Sequence, residues 1–153
     1  MKMNKMMKSD LYKGIRIGSI DYGLKRVGFA VCDEFHITIT PKRVFDRTSE
    51  NFWNDLLDTF VKEKIGLLVV GLPLRNKEEK NNILNYVENF IKELSLKCKI
   101  QITTFDESYS TRKSVATMIE IGTKRKKRAD KGNKDKVAAA IILRDFLSEL
   151  EQK

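Results

Sequence analysis

Histidine and cysteine are nearly missing from this chain: His36 stands alone, and Cys32 and Cys98 share no Cys-x-x-Cys spacing. A zinc centre finds no ligand set in such a sequence. Both cysteines lie in apolar stretches, as small core residues of a reducing compartment do. No apolar run approaches the ~20 residues of a membrane span. The opening Met1-Lys-Met-Asn-Lys-Met-Met-Lys8 is basic but has neither an apolar core nor a small-residue cleavage site, so it is not a secretory signal. We read residues 1–13 as a loosely ordered basic tail and 14–153 as a single domain, with the cytoplasm as the expected location. No repeat or low-complexity segment divides it, and a domain of this size buries roughly 70% of its unfolded surface.

Acid is also in short supply. There are 21 acidic against 30 basic residues, a net charge of +9, which favours a polyanionic partner; nucleic acid is the commonest. The excess is concentrated at Lys124, Arg125, Lys126, Lys127, Arg128, Lys131, Lys134 and Lys136, opposed only by Asp130 and Asp135. Taken alone, this stretch reads equally well as a solvated basic loop. Charges this crowded repel one another unless phosphate or another anion neutralises them.

Hydrophobic patterning predicts strands over about 15–21, 27–33, 37–45, 67–71 and 99–105. Gly23 is placed where a tight hairpin between the first two strands asks for positive φ. Pro41 suits the third strand to a sheet edge. Leu67-Leu-Val-Val70 is a continuous apolar run, as expected of a strand covered on both faces. Helices are expected over 49–64, with Ser49 as N-cap and a stripe from Phe52 and Trp53 to Phe60 and Val61, and over 78–96, with Ile83, Leu84, Val87, Phe90, Ile91 and Leu94 facing the core. A third helix should start near Ser110 or Thr111, and a last one should run from Asp135 to Leu150. Three meandering strands followed by parallel crossovers give an α/β protein with a central mixed five-stranded sheet flanked by helices, which is the element order of the RNase H-like fold. A Rossmann-type sheet would need a glycine-rich turn leading into a helix, whereas Gly23 leads into another strand.

Against the scarcity of acid, three carboxylates are well placed. Asp21 ends the first strand and Glu107 follows the last, so both lie at the carboxyl rim of strands expected near the sheet centre. From Asp135, steps of three, four, seven and eleven residues reach Ala138, Ala139, Ile142 and Phe146, the face that packs on the sheet. That places Asp135 inward on the first helical turn, where an unpaired carboxylate costs several kcal/mol. Two of the acids have a plainer reading: Asp21 as a turn starter, Asp135 as an N-cap. Three converging acids repel unless a divalent cation holds them, and oxygen-only donors suit Mg²⁺ or Mn²⁺. Beside a basic groove, such cations (about 3.5–4 Å apart when two bind) serve phosphodiester hydrolysis. No side chain need be the nucleophile, and His36 is expected to be structural.

Four blocks now stand in order: Ile20-Asp21-Tyr-Gly23-Leu-Lys25-Arg26-Val-Gly28-Phe-Ala30, Val69-Val-Gly71-Leu72-Pro73-Leu74, Asp106-Glu107-Ser-Tyr-Ser110-Thr111, and Lys134-Asp135-Lys-Val-Ala138-Ala139-Ala-Ile-Ile-Leu143. Together they resemble the bacterial pre-16S rRNA nuclease family, also called Holliday-junction-resolvase-like, over roughly residues 15–150. The resemblance implies that Asp21, Glu107 and Asp135 are the catalytic, metal-holding acids of a Mg²⁺- or Mn²⁺-dependent nuclease. It also implies trimming of the 5′ end of the small-subunit rRNA precursor, a structured RNA. Ser108 departs from the Arg that usually follows the Asp-Glu pair, and Arg112 or the 124–128 cluster could supply the missing cation. Arg75-Asn-Lys-Glu-Glu replaces the glycines usual after the Gly-Leu-Pro block. Lys25, Arg26 and Lys134 join Arg112 and the 124–128 cluster as candidate nucleic-acid contacts; for Lys25 and Arg26 an exposed hairpin tip is the alternative.

Three other functions are weighed against this one. Resolution of branched DNA uses identical chemistry and would favour a homodimer over a monomer. A non-catalytic RNA-binding maturation or transcription factor is supported by Ser108 and opposed by retention of all three acids. The kinase–actin superfamily also opens on Asp-x-Gly, but needs two such domains to enclose ATP.

Overall fold

A computed structural model describes residues 8–72, 77–106 and 131–151. In chain order they form Arg16–Tyr22 (β1), Arg26–Cys32 (β2), Ile39–Asp46 (β3), Phe52–Lys62 (α1), Ile65–Leu72 (β4), Lys77–Lys97 (α2), Gln101–Asp106 (β5) and Lys131–Glu151 (α3). One sheet has the order β3-β2-β1-β4-β5. β1 pairs antiparallel with β2, and β2 with β3; β4 joins β1 and β5 in parallel. The expected meander and parallel crossovers are present. The helix expected near Ser110 or Thr111 lies outside the described residues.

Strand alternation sorts the core into two layers. On one face Ile17, Cys32, Leu67 and Val69 pack with Ile142, Leu143, Phe146, Leu147 and Leu150 of α3. On the other, Ile20, Phe29, Leu68 and Val70 pack with Phe52, Leu56 and Phe60 of α1 and Val87, Phe90 and Leu94 of α2. The run from Leu67 to Val70 is therefore buried on both sides, as its composition predicts. β3 is an outermost strand, where the missing N–H of Pro41 is tolerated.

Several local expectations are corrected. Gly23 has no positive φ; a Cβ there would lie 2.5 Å from the Arg26 carbonyl oxygen, so close approach is what excludes a side chain. Asn51, not Ser49, precedes α1, and it makes no side-chain cap. Ser49 instead accepts the Asn51 N–H on its Oγ at 3.2 Å and the Phe52 N–H on its carbonyl at 3.1 Å. Val61 falls off the apolar stripe and is 77% exposed. At the amino end, Lys8–Tyr12 forms a 3-10 turn and Tyr12 packs against Phe146, with ring centroids 6.3 Å apart, so the folded chain begins before residue 14.

His36 has the structural role expected of it. It sits at φ 59° in the β2–β3 turn, with Nε2 2.8 Å from the Ile15 carbonyl oxygen. Cys32 is a buried free thiol whose ionisation is pushed up by burial, so it offers no thiolate near neutral pH. Among the described residues, no helix is long and apolar enough to cross a membrane.

Candidate functional site

Ser19 anchors the site. It is the one fully buried polar side chain of the described core, and its hydroxyl donates to the Ala139 carbonyl of α3 at 2.5 Å. From that contact the geometry follows by counting. Two residues further along β1, about 6.8 Å, is Asp21, on the same face as Ser19. Four residues back along α3, about 6 Å, is Asp135, on the same helical face as Ala139. A central strand and a long helix therefore bring the two acids to one level, both half-buried.

Small residues make this approach possible. Ala30 of β2 packs against Ala139 and Ala140. Gly28, the antiparallel partner of Asp21, lies so close to α3 that a Cβ would overlap the Asp135 carbonyl. On the opposite side of β1, Gly71 follows Val70, the partner of Ile20, and has the same facing as Leu67 and Val69. Asp21 is thus flanked by two strands that carry no side chain at its level. The result is a shallow floor beneath two carboxylates.

Two features of this site differ from expectation. α3 begins at Lys131, so Asp135 lies in its second turn rather than its first, and the N-cap reading fails. Lys131, Gly132 and Asn133 contribute no apolar residue, so no hydrophobic periodicity marks that extra turn. β5 is the outermost strand on its side of the described sheet rather than near its centre, while β1 is central. The parallel register still sets Asp106 beside Leu72, at the same rim as Asp21.

The cations divide between the described residues and those beyond them. Arg26 opens β2 and its Nε donates to Asp135 Oδ2 at 2.7 Å. Lys25 is exposed at the hairpin tip beside it, and Lys134 is exposed on α3. A cleft of about 460 Å³ lined by Lys25, Arg26, Val44, Asp46 and Thr48 adjoins this side. Glu107, Arg112, Lys124, Arg125, Lys126, Lys127 and Arg128 lie outside the described residues, as do Ser108, Ser110, Thr111 and Pro73. Among the described residues no three acids, histidines or thiols gather into a metal-holding group; Asp21 and Asp135 are the two expected ligands the fold brings together.

Sequence reading assigned no role to Ser19 or Gly28. A serine in an apolar strand was the available signal for the first, since a buried hydroxyl needs a partner. Gly28 between Val27 and Phe29 was the signal for the second, because a glycine inside a strand marks close backbone approach.

The chain and its fold have recognisable counterparts. A family model described as "RuvX: Holliday junction resolvase" matches residues 15–149. A protein from Amoebophilus asiaticus named "Putative pre-16S rRNA nuclease" is 37% identical over 139 residues, covering 90% of this chain and 96% of the relative. One of the same name from Chlorobaculum tepidum is 36% identical, covering 92% and 97%. Among solved structures, T. thermophilus RuvC in complex with a Holliday junction substrate aligns with a TM-score of 0.60 at 12% identity, over 90% of this chain and 96% of that one. Fowlpox virus resolvase in complex with Holliday junction DNA gives 0.56 at 17% identity, over 89% and 99%. The sheet order, the helix laid across its central strands and the span of these matches agree: the chain has the RuvC-like RNase H fold and belongs to the RuvX family.

Proposed function

We propose that this chain is a cytoplasmic, divalent-cation-dependent endonuclease that processes the 5′ end of pre-16S rRNA. The observation that carries the reading is the common level of Asp21 and Asp135, set by the Ser19–Ala139 contact and the bare surface at Gly28. The names of the relatives support the RNA substrate. Asp21, Asp135 and Glu107 would hold the cation: the first two offer only carboxylate oxygens, which fits Mg²⁺ or Mn²⁺. When bound, such an ion supplies Lewis acidity at the phosphoryl group. The chain itself supplies rigidity, since one acid rides on a central strand and the other on a 21-residue helix. Lys25 and Lys134 offer positive charge to the flanking phosphates, and the 124–128 run would extend that track.

A second reading, cleavage of branched DNA, is favoured by the likeness in fold to two resolvases solved with Holliday junctions. One experiment separates the readings. Purified full chain is incubated with a 5′-extended 16S precursor or a synthetic four-way junction, with Mn²⁺ or with EDTA. We expect the RNA to be cut with Mn²⁺ alone and the junction to survive. Preferential cutting of the junction would move the assignment to DNA. Binding of RNA without any cutting would leave a non-catalytic maturation factor.

The basic run has its own test. Replacing Lys126 and Lys127 with Ala should reduce the salt dependence of RNA binding by about one unit of log–log slope per lost phosphate contact. An unchanged slope would mean that these lysines face away from the RNA.

A further inference from the structure

Arg26 stands in an unusual place for a nucleic-acid contact. Its Nε is bonded to Asp135 Oδ2, so one carboxylate oxygen needed for a cation already carries a guanidinium. The pair is only partly buried, with the arginine side chain 41% and the aspartate 28% exposed. Arg26 therefore has room to move. It also has somewhere to go. In the β2–β3 register Arg26 is paired with Asp46, so both side chains project from the same face of the sheet. The two line the cleft of about 460 Å³ together with Lys25, Val44 and Thr48, and Asp135 is not part of that lining. Asp46 is a firm acceptor there. The Thr48 hydroxyl, bonded at 2.7 Å, and then the Thr48 amide, bonded at 2.9 Å, hold its carboxyl below the usual carboxylate range.

We propose that Arg26 is a positioning residue with two settings: the built-in counter-ion of Asp135 when no cation is bound, and a free guanidinium turned toward Asp46 and an incoming phosphate once a cation takes the carboxylate. This rests on the reading of Asp21 and Asp135 as cation ligands. The guanidinium occupies an acceptor site of Asp135 Oδ2 and repels a second positive charge beside it, so pairing weakens cation binding. The arrangement keeps Asp135 compensated beside Asp21 before metal arrives. It releases a planar, phosphate-matching donor only when the site is loaded.

The competition has a direction that a merely structural arginine would not produce. Mn²⁺ affinity of the full chain, measured by calorimetric titration without nucleic acid, should rise about three- to tenfold in Arg26→Gln, the range expected for removing a partly exposed competing charge. Arg26→Lys should stay near wild type. Asp46→Asn, which removes the charge awaiting the displaced guanidinium, should lower the affinity by a smaller factor. In cleavage assays Arg26→Gln should raise KM for nucleic acid more than it lowers kcat. Equal or weaker Mn²⁺ binding in Arg26→Gln, with Asp135→Asn abolishing binding, would overturn the switch and leave the metal site standing. Absence of Mn²⁺ binding to wild type, or binding unaffected by Asp135→Asn, would overturn the metal site and the switch with it.

Discussion

Asp21→Asn is expected to lower the single-turnover cleavage rate by about three orders of magnitude while RNA binding stays within a few-fold of wild type. Asparagine keeps the shape of the side chain and its place on β1, and removes only the charge. The site then loses one of two carboxylates held at a common level, and with it much of the grip on a hard cation. A thousandfold loss corresponds to about 4 kcal/mol of barrier. Binding should survive because affinity for RNA comes chiefly from the basic surface, to which Asp21 contributes nothing favourable. Filter binding and single-turnover cleavage in Mn²⁺, on protein with an unchanged circular dichroism spectrum, give the two readouts. Cleavage within tenfold of wild type would remove Asp21 from the chemistry.

Gly28→Ala should be the most damaging single-methyl change on this face of the sheet. The added Cβ would overlap a backbone carbonyl of α3, which cannot rotate aside as a flexible side chain can. The helix must retreat, and the Ser19–Ala139 hydrogen bond stretches with it. Overpacking costs about 1–3 kcal/mol, and a buried hydroxyl left without its partner costs about 1–3 more. At roughly 2–4 °C per kcal/mol for a domain of this size, the melting midpoint should fall by about 10 °C. Cation binding should weaken too, because Asp135 moves with the helix. Gly14→Ala is the control. Gly14 has φ +80° and open space around it, so its replacement carries a backbone penalty but no collision. Equal melting points for Gly28→Ala and wild type would mean that α3 does not rest on β2 here.

The two glycines show how far local sequence reaches. Gly23 reads as a turn residue needing positive φ, and it is instead a point where the chain passes close to its own backbone at Arg26. Gly28 reads as an unremarked strand residue, and it is the seat of α3. In both cases the reason for glycine is a nearby backbone: for Gly23 that of Arg26, three residues on, and for Gly28 that of Asp135, which no local window of residues contains. Pro41 is the opposite case. A missing N–H is a property of the residue itself, so its edge position is legible from the residue alone.

Asp135 divides the same way. The spacing from Asp135 to Ala139, Ile142 and Phe146 is intrinsic to a 3.6-residue helix, so the inward face is readable. That α3 already includes Lys131 is not, because the residues before Asp135 are polar or small and leave no stripe to follow. The ion pair to Arg26 is further out of reach, since it joins residues 109 positions apart.

By itself, the sequence determined the alternation of strands and helices, the two-sided burial of Leu67 to Val70 and the inward face of α3. All of these depend on residue type and on periods of two or 3.6, which are properties of short segments. Only the tertiary structure decided that Asp21 and Asp135 share a level, that β5 lies at the margin of the described sheet while β1 is central, and that Arg26 pairs with Asp135. Those outcomes depend on register and on how closely a helix approaches a sheet, and both are fixed by contacts between segments far apart in the chain.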